Sequence, residues 1–136
     1  MLVSVGRLMG ATHGLPGGQS ASSFDGTNDY ALRGADLTGA SDGQAWSASL
    51  WFNLNGGNAA VQSFFSGVGT EVFISRNASN QLDIFLRDTG GAVVYRRITT
   101  DTYTDATGWV NVLASANAAT GVGQIYVNDA VPNLGS

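Results

Sequence analysis

The segment Trp46-Ser47-Ala48-Ser49-Leu50-Trp51-Phe52-Asn53-Leu54 places Trp46, Ala48, Leu50, Phe52 and Leu54 at every second position. In an extended chain those five side chains share one face, whereas a helix would scatter them around its circumference. The run therefore reads as a strand with one side against a core, ended by Asn55-Gly56-Gly57-Asn58. The rest of the chain agrees with this. Glycine accounts for 19 of 136 residues, Asp, Asn, Ser and Thr are abundant, and alanine is the only strong helix former present in quantity. Further strands are expected at 20–24, 29–33, 61–67, 70–76, 81–87, 92–98, 109–116 and 123–128, with helix confined to a turn near residues 35–39. Short strands at this spacing indicate an all-β sandwich or jelly roll.

Turn chemistry supports two hairpins. Asp25-Gly26-Thr27-Asn28 supplies the positive-φ residues of a tight turn between Phe24 and Tyr30. Asn77-Ala78-Ser79-Asn80 separates 70–76 from 81–87, and across it Val72/Ile74 and Leu82/Ile84/Leu86 are expected to face one core. A chain of this length reads as one domain, and with 43 % hydrophobic residues it can bury about two thirds of its unfolded surface without a staple. That domain is expected over 20–136, preceded by an extended arm at 1–19 that ends in Gly14-Leu15-Pro16-Gly17-Gly18. The opening MLVSVGRLMGATHG lacks a cationic stretch followed by a continuous apolar one, and no apolar run is long enough to span a bilayer. Neither a signal peptide nor a membrane partner is expected. A net charge of −4, with six arginines and no lysine, also argues against nucleic acid. The absence of cysteine removes disulfides and thiolate metal sites.

Ser22-Ser23-Phe24-Asp25-Gly26-Thr27-Asn28-Asp29-Tyr30-Ala31, Trp46-Ser47-Ala48-Ser49-Leu50-Trp51-Phe52, Trp109-Val110-Asn111-Val112 and Ile125-Tyr126-Val127-Asn128 follow one another in order. Together they resemble the laminin-G-like branch of the concanavalin A-like lectin/glucanase superfamily, over residues 20–129. The resemblance implies an antiparallel two-sheet jelly-roll sandwich. It also implies a non-catalytic role as a virion structural protein, a capsid decoration or tail-associated adhesion protein of a bacteriophage, assembling with protein neighbours or with copies of itself. The competing implication is a carbohydrate-binding, lectin-like module of a larger surface protein at an extracellular surface. Two departures stand out. The usual hairpin glycine is replaced in Asn128-Asp129, where Asp can still take a left-handed conformation at modest cost. The chain also stops soon afterwards, so the last strands of such a sandwich are expected from the arm, from a neighbouring chain or from a longer parent sequence.

Catalysis is not expected. Retaining glycoside hydrolysis needs two carboxyl groups about 5–5.5 Å apart, but Glu71 is the sole glutamate, and Phe85 and Arg87 occupy the positions two and four after Asp83. The one histidine, His13, lies in the arm. No cofactor is expected other than Ca²⁺, which some laminin-G-like domains hold at loop ends. The candidate ligands are Asp25, Asn28 and Asp29 in the first hairpin and Asp101 and Asp105 before Trp109, and turn capping accounts for the same residues. Gly121-Val122-Gly123 opens no helix and is no nucleotide fingerprint. Asn77-Ala78-Ser79 is formally a glycosylation sequon.

Alternation supplies the sharpest candidate surface. With Leu50/Phe52, Val72/Ile74, Leu82/Ile84 and Ile125/Val127 turned inward, Trp51, Phe73, Phe85 and Tyr126 point outward, as an aromatic surface for sugar rings or another subunit unless loops or the arm cover it. Arg96 and Arg97, near Arg87, form the basic cluster, and adjacency sends the first two to opposite faces.

Overall fold

The structure is a computed structural model and describes residues 45–66, 72–88 and 90–135. They form seven strands: β1 (Ala45–Asn53), β2 (Gln62–Ser66), β3 (Val72–Arg76), β4 (Gln81–Arg87), β5 (Val93–Thr102), β6 (Trp109–Asn117) and β7 (Val122–Val127). No helix occurs among the described residues, and so none that could cross a membrane. The strands at 20–24 and 29–33, the hairpin at 25–28, the turn at 35–39 and the arm at 1–19 lie outside the described residues.

All pairings are antiparallel. One sheet has three strands in the order β1-β6-β7, and the other has four in the order β2-β3-β4-β5. The two pack as a β-sandwich. Phe52, Val110, Val112, Ala114, Ile125 and Val127 of the first sheet and Ile74, Leu82, Ile84, Leu86 and Tyr95 of the second form one buried cluster. Phe52 of β1 stacks on Phe64 of β2, ring centroids 4.1 Å apart, and so ties one sheet to the other. The alternation read from 46–54 holds: Trp46, Ala48 and Leu50 are half-buried, Phe52 and Leu54 are buried, and the residues between them are exposed.

The β3–β4 hairpin forms as its turn chemistry requires. Val72 pairs with Leu86 and Ile74 with Ile84. Asn77 Oδ1 accepts from the amides of Ser79 and Gln81, and Asn80 takes a left-handed φ of 61°. After β7, Asn128 and Asp129 are both left-handed, at φ 50° and 63°. Here Asp substitutes for the missing glycine.

The ladders shift at three places: between Ser63 and Phe65 of β2, where Phe64 and Phe65 both pack against the core, and twice along β4, between Leu86 and Arg87 and between Gln81 and Asp83. β5 runs on to Thr102, beyond the expected end at 98, because the ladder shifts between Asp83↔Ile98 and Gln81↔Thr102. The buried Thr99 makes that irregularity tolerable: its hydroxyl accepts from the Leu82 amide at 3.1 Å and donates to the Asp101 carbonyl at 2.9 Å. The segment following β7 then returns to β5, where the Thr100 amide donates to the Asn133 carbonyl at 2.8 Å and the Gly135 amide to the Ile98 carbonyl at 2.9 Å.

Candidate functional site

Strand alternation presents thirteen side chains on the outer face of the three-stranded sheet. They are Ala45, Ser47, Ser49, Trp51 and Asn53 from β1, Trp109, Asn111, Leu113, Ser115 and Asn117 from β6, and Val122, Gln124 and Tyr126 from β7. None carries a charge. Register sets their arrangement: Ser49, Leu113 and Tyr126 make one row across the sheet, and Trp51 sits opposite Asn111, one row along. Trp51 and Leu113 are therefore diagonal neighbours, within mutual reach of large side chains. They are 57 % and 43 % exposed, and Tyr126 is 36 % exposed.

The polar groups among them are held in place. Asn111 Nδ2 donates to the Leu50 carbonyl at 3.2 Å, and its amide donates to Asn128 Oδ1 at 2.9 Å, which locks the end of β7 to β6. Tyr126 donates its hydroxyl to Gln124 Oε1 at 3.2 Å. At the far end of the same sheet an open depression of about 450 Å³ is lined by Trp46, Ser47, Asn117 and Gln124 among others, with no titratable side chain in its wall.

Phe73 and Phe85 belong to the other outer face, that of the four-stranded sheet. They pair directly across β3 and β4 and stack with centroids 4.7 Å apart and planes 15° apart. Arg87 and Arg96 place their guanidinium carbons 5.4 and 5.9 Å from the Phe85 ring centre. Arg96 also grips Asp83 in a two-pronged ion pair, with Nε to Oδ1 at 3.0 Å and Nη2 to Oδ2 at 2.5 Å. The bonds and charge of Asp83 push the Arg96 pKa up. Arg97 points the other way and lies over Tyr95, 5.0 Å from its ring centre. The four aromatic residues singled out by alternation thus divide between two separate faces. Trp51 and Tyr126 share the open, uncharged one, while Phe73 and Phe85 engage each other and their arginines.

The acidic loop residues do not converge. Asp105 accepts from Asn58 Nδ2 at 2.7 Å, and Asp101 lies 3.5 Å from Asn133 Nδ2. Asp25, Asn28 and Asp29 lie outside the described residues. Among the described residues, no three His, Cys, Asp or Glu side chains come together as a metal site.

Arg76 escaped the sequence reading. It continues the Val72/Ile74 alternation into the interior, where it is wholly buried, and it donates to Asn58 Oδ1 at 3.1 Å, the Tyr103 carbonyl at 3.2 Å and the Gly57 carbonyl. Burial lowers its pKa, and the charge of Asp105 acts in the opposite sense. The signal was available: a guanidinium in the inward phase of a strand needs acceptors, and only loops crossing that end of the sandwich can bring carbonyls to it.

Comparison with known proteins gives no matching family model, no similar curated protein and no similar solved structure.

Proposed function

We propose that this domain is a non-catalytic interaction module, a jelly-roll sandwich that joins copies of itself through the outer face of the three-stranded sheet. The observation that carries this reading is the face itself: thirteen outward positions without a charge, with Trp51, Leu113 and Tyr126 exposed at its centre. Charged residues are depleted and aromatic residues enriched at the cores of protein interfaces. A chain of net charge −4 repels its own copies, and an uncharged face is where two of them meet with least repulsion. A twofold contact through one self-complementary patch is the commonest closed arrangement. The laminin-G-like resemblance supplies the setting, the surface of a virus particle, where the module would serve as a capsid decoration or tail-associated adhesion protein among many protein neighbours.

Light scattering of the isolated chain over a range of concentrations tests this. The expected result is reversible self-association that Trp51→Ala weakens by about tenfold or more, as for an aromatic hot spot, with circular dichroism unchanged. A strictly monomeric chain at the highest soluble concentration would sink it.

A second reading, recognition of a neutral glycan, has one observation in its favour. The exposed Trp51 indole lies beside the fixed amide of Asn111, which combines a stacking platform with a hydrogen-bonding group. Sugar binding on a glycan array, lost in Trp51→Ala, selects this reading, and its persistence in chelator excludes a Ca²⁺-dependent site.

A further inference from the structure

We infer that the segment Val131-Pro132-Asn133-Leu134-Gly135 is an exchangeable edge strand, whose alternative seat is β5 of a second copy of this chain. This goes beyond the reading above. The partner is again a second copy, but the surface is the β5 edge and not the uncharged face.

The segment lies antiparallel to β5 in register with Thr99↔Leu134, flanked by the Thr100–Asn133 and Ile98–Gly135 backbone bonds at 2.8 and 2.9 Å. Side chains add little to its hold. Val131 is 68 % exposed and Leu134 40 %, and the Asn133–Asp101 contact is at the limit of a hydrogen bond at 3.5 Å. Recognition therefore rests on main-chain groups, each worth about 1 kcal/mol net. Those groups are the same in the matching segment of any other copy.

The connection is built like a hinge. Asn128 and Asp129 both hold left-handed φ angles between β7 and the segment, in a two-residue turn closed by the Val127–Ala130 backbone bonds at 2.8 and 3.1 Å. Opening this turn breaks those two bonds within one copy and lets the segment run on from β7, away from its own body, where the same Val127–Ala130 pair re-forms between two copies. Pro132 has no amide proton to lose when the segment leaves. On the receiving side, the next carbonyl along the edge, that of Arg96, is occupied by Arg97 Nη1 at 2.7 Å, so a single short stretch of β5 is offered. In a reciprocal exchange each copy gives and receives one segment. Every backbone bond is re-formed, and a closed twofold dimer results.

Cysteine cross-linking tests this without background, because the chain has no cysteine of its own. Thr100 and Asn133 are directly opposed and exposed, at a pairing whose Cα separation of about 5.5 Å suits a disulfide. A chain carrying both Thr100→Cys and Asn133→Cys should close on itself when oxidised dilute. Failure to close would mean the segment is not seated on β5 and would overturn the inference. A Thr100→Cys chain and a mass-tagged Asn133→Cys chain are then incubated together at high concentration and oxidised. The expected product is the mixed disulfide, in excess over dimers of either chain alone. A doubly substituted chain that closes internally, beside a mixture that yields no mixed disulfide, overturns exchange. Repeating the mixture in a Trp51→Ala background keeps the two ideas separate: the cross-link survives loss of the uncharged face if exchange is correct.

Discussion

Arg76 and Asn58 meet at one end of the sandwich, where the guanidinium Nη1 donates to the amide oxygen across 3.1 Å and the amide nitrogen passes the link to Asp105 at 2.7 Å. The Asp105 amide in turn donates to the same Asn58 oxygen at 3.2 Å. One buried cation thereby fastens the loop after β1 to the loop after β5, while its own charge is met by carbonyls and by a carboxylate one residue removed. Arg76→Ala leaves the Gly57 and Tyr103 carbonyls without their donor and opens a cavity, and should cost about 3–5 kcal/mol. Asn58→Ala, which cuts the relay but leaves the two carbonyl bonds, should cost about 1–2 kcal/mol. Urea unfolding of both variants checks the order. Equal losses would show that the amide, and not the carbonyls, carries the clamp.

Gly123 tests a different property, close approach. A Cβ at this position would stand 2.6 Å from the Ser115 carbonyl oxygen, 2.7 Å from the Ala116 Cβ and 2.8 Å from the Tyr95 ring. Two of these three neighbours cannot swing aside, so Gly123→Ala has to push β7 away from β6 or displace Tyr95 from the core. A loss of about 1–3 kcal/mol is expected, the usual range for overpacking, and thermal unfolding measures it. Ala116→Gly should partly restore the loss by removing one of the three contacts.

Much of this architecture is legible from alternation alone. All seven described strands fall where period-two runs and turn residues place them; Asn80, Asn128 and Asp129 occupy turns that their tolerance of left-handed φ suits, and Asn77 holds its turn through its side-chain oxygen. The irregular positions are what alternation misses. The bulge at Thr99, the length of β5 and the return of the chain to that strand depend on one hydroxyl and a few backbone bonds with no periodic signature. Outward direction was equally legible, but which sheet a strand joins was not. Trp51 and Phe85 read alike in sequence, and only pairing separates them onto different faces.

Trp51 and Tyr126 allow folding and association to be distinguished. Both are exposed side chains on an outer face, so Trp51→Ala and Tyr126→Ala should change unfolding free energy by no more than about 0.5 kcal/mol. Asn111→Ala behaves differently, since it removes the side-chain bond to Leu50 and should lower stability by about 1 kcal/mol. Denaturant curves for the three variants, set beside their light-scattering masses, check the assignment. A Trp51→Ala chain that loses stability and association together would place the indole in the folding core.

Tyr95 should show its environment in alkaline solution. Its hydroxyl is buried without a hydrogen-bond partner, and burial raises its pKa, with the Arg97 charge acting against the rise. Tyr103 is raised likewise, by burial and by the Asp101 charge. A phenol whose folded pKa exceeds its unfolded value of about 10 contributes fully below that pH. As pH rises past it, the unfolded chain releases its proton first and unfolding is favoured. Stability should therefore be flat around neutrality and fall above about pH 10. Tyr95→Phe removes an unpaired polar atom from the core and should raise stability at neutral pH by up to about 1 kcal/mol, and it should also shallow the alkaline decline. The double variant Tyr95→Phe/Tyr103→Phe should flatten that decline further. Unfolding free energies measured from neutral to strongly alkaline pH decide the matter, and a Tyr95→Phe chain that is less stable at neutral pH would mean that the hydroxyl has a hydrogen-bond partner after all.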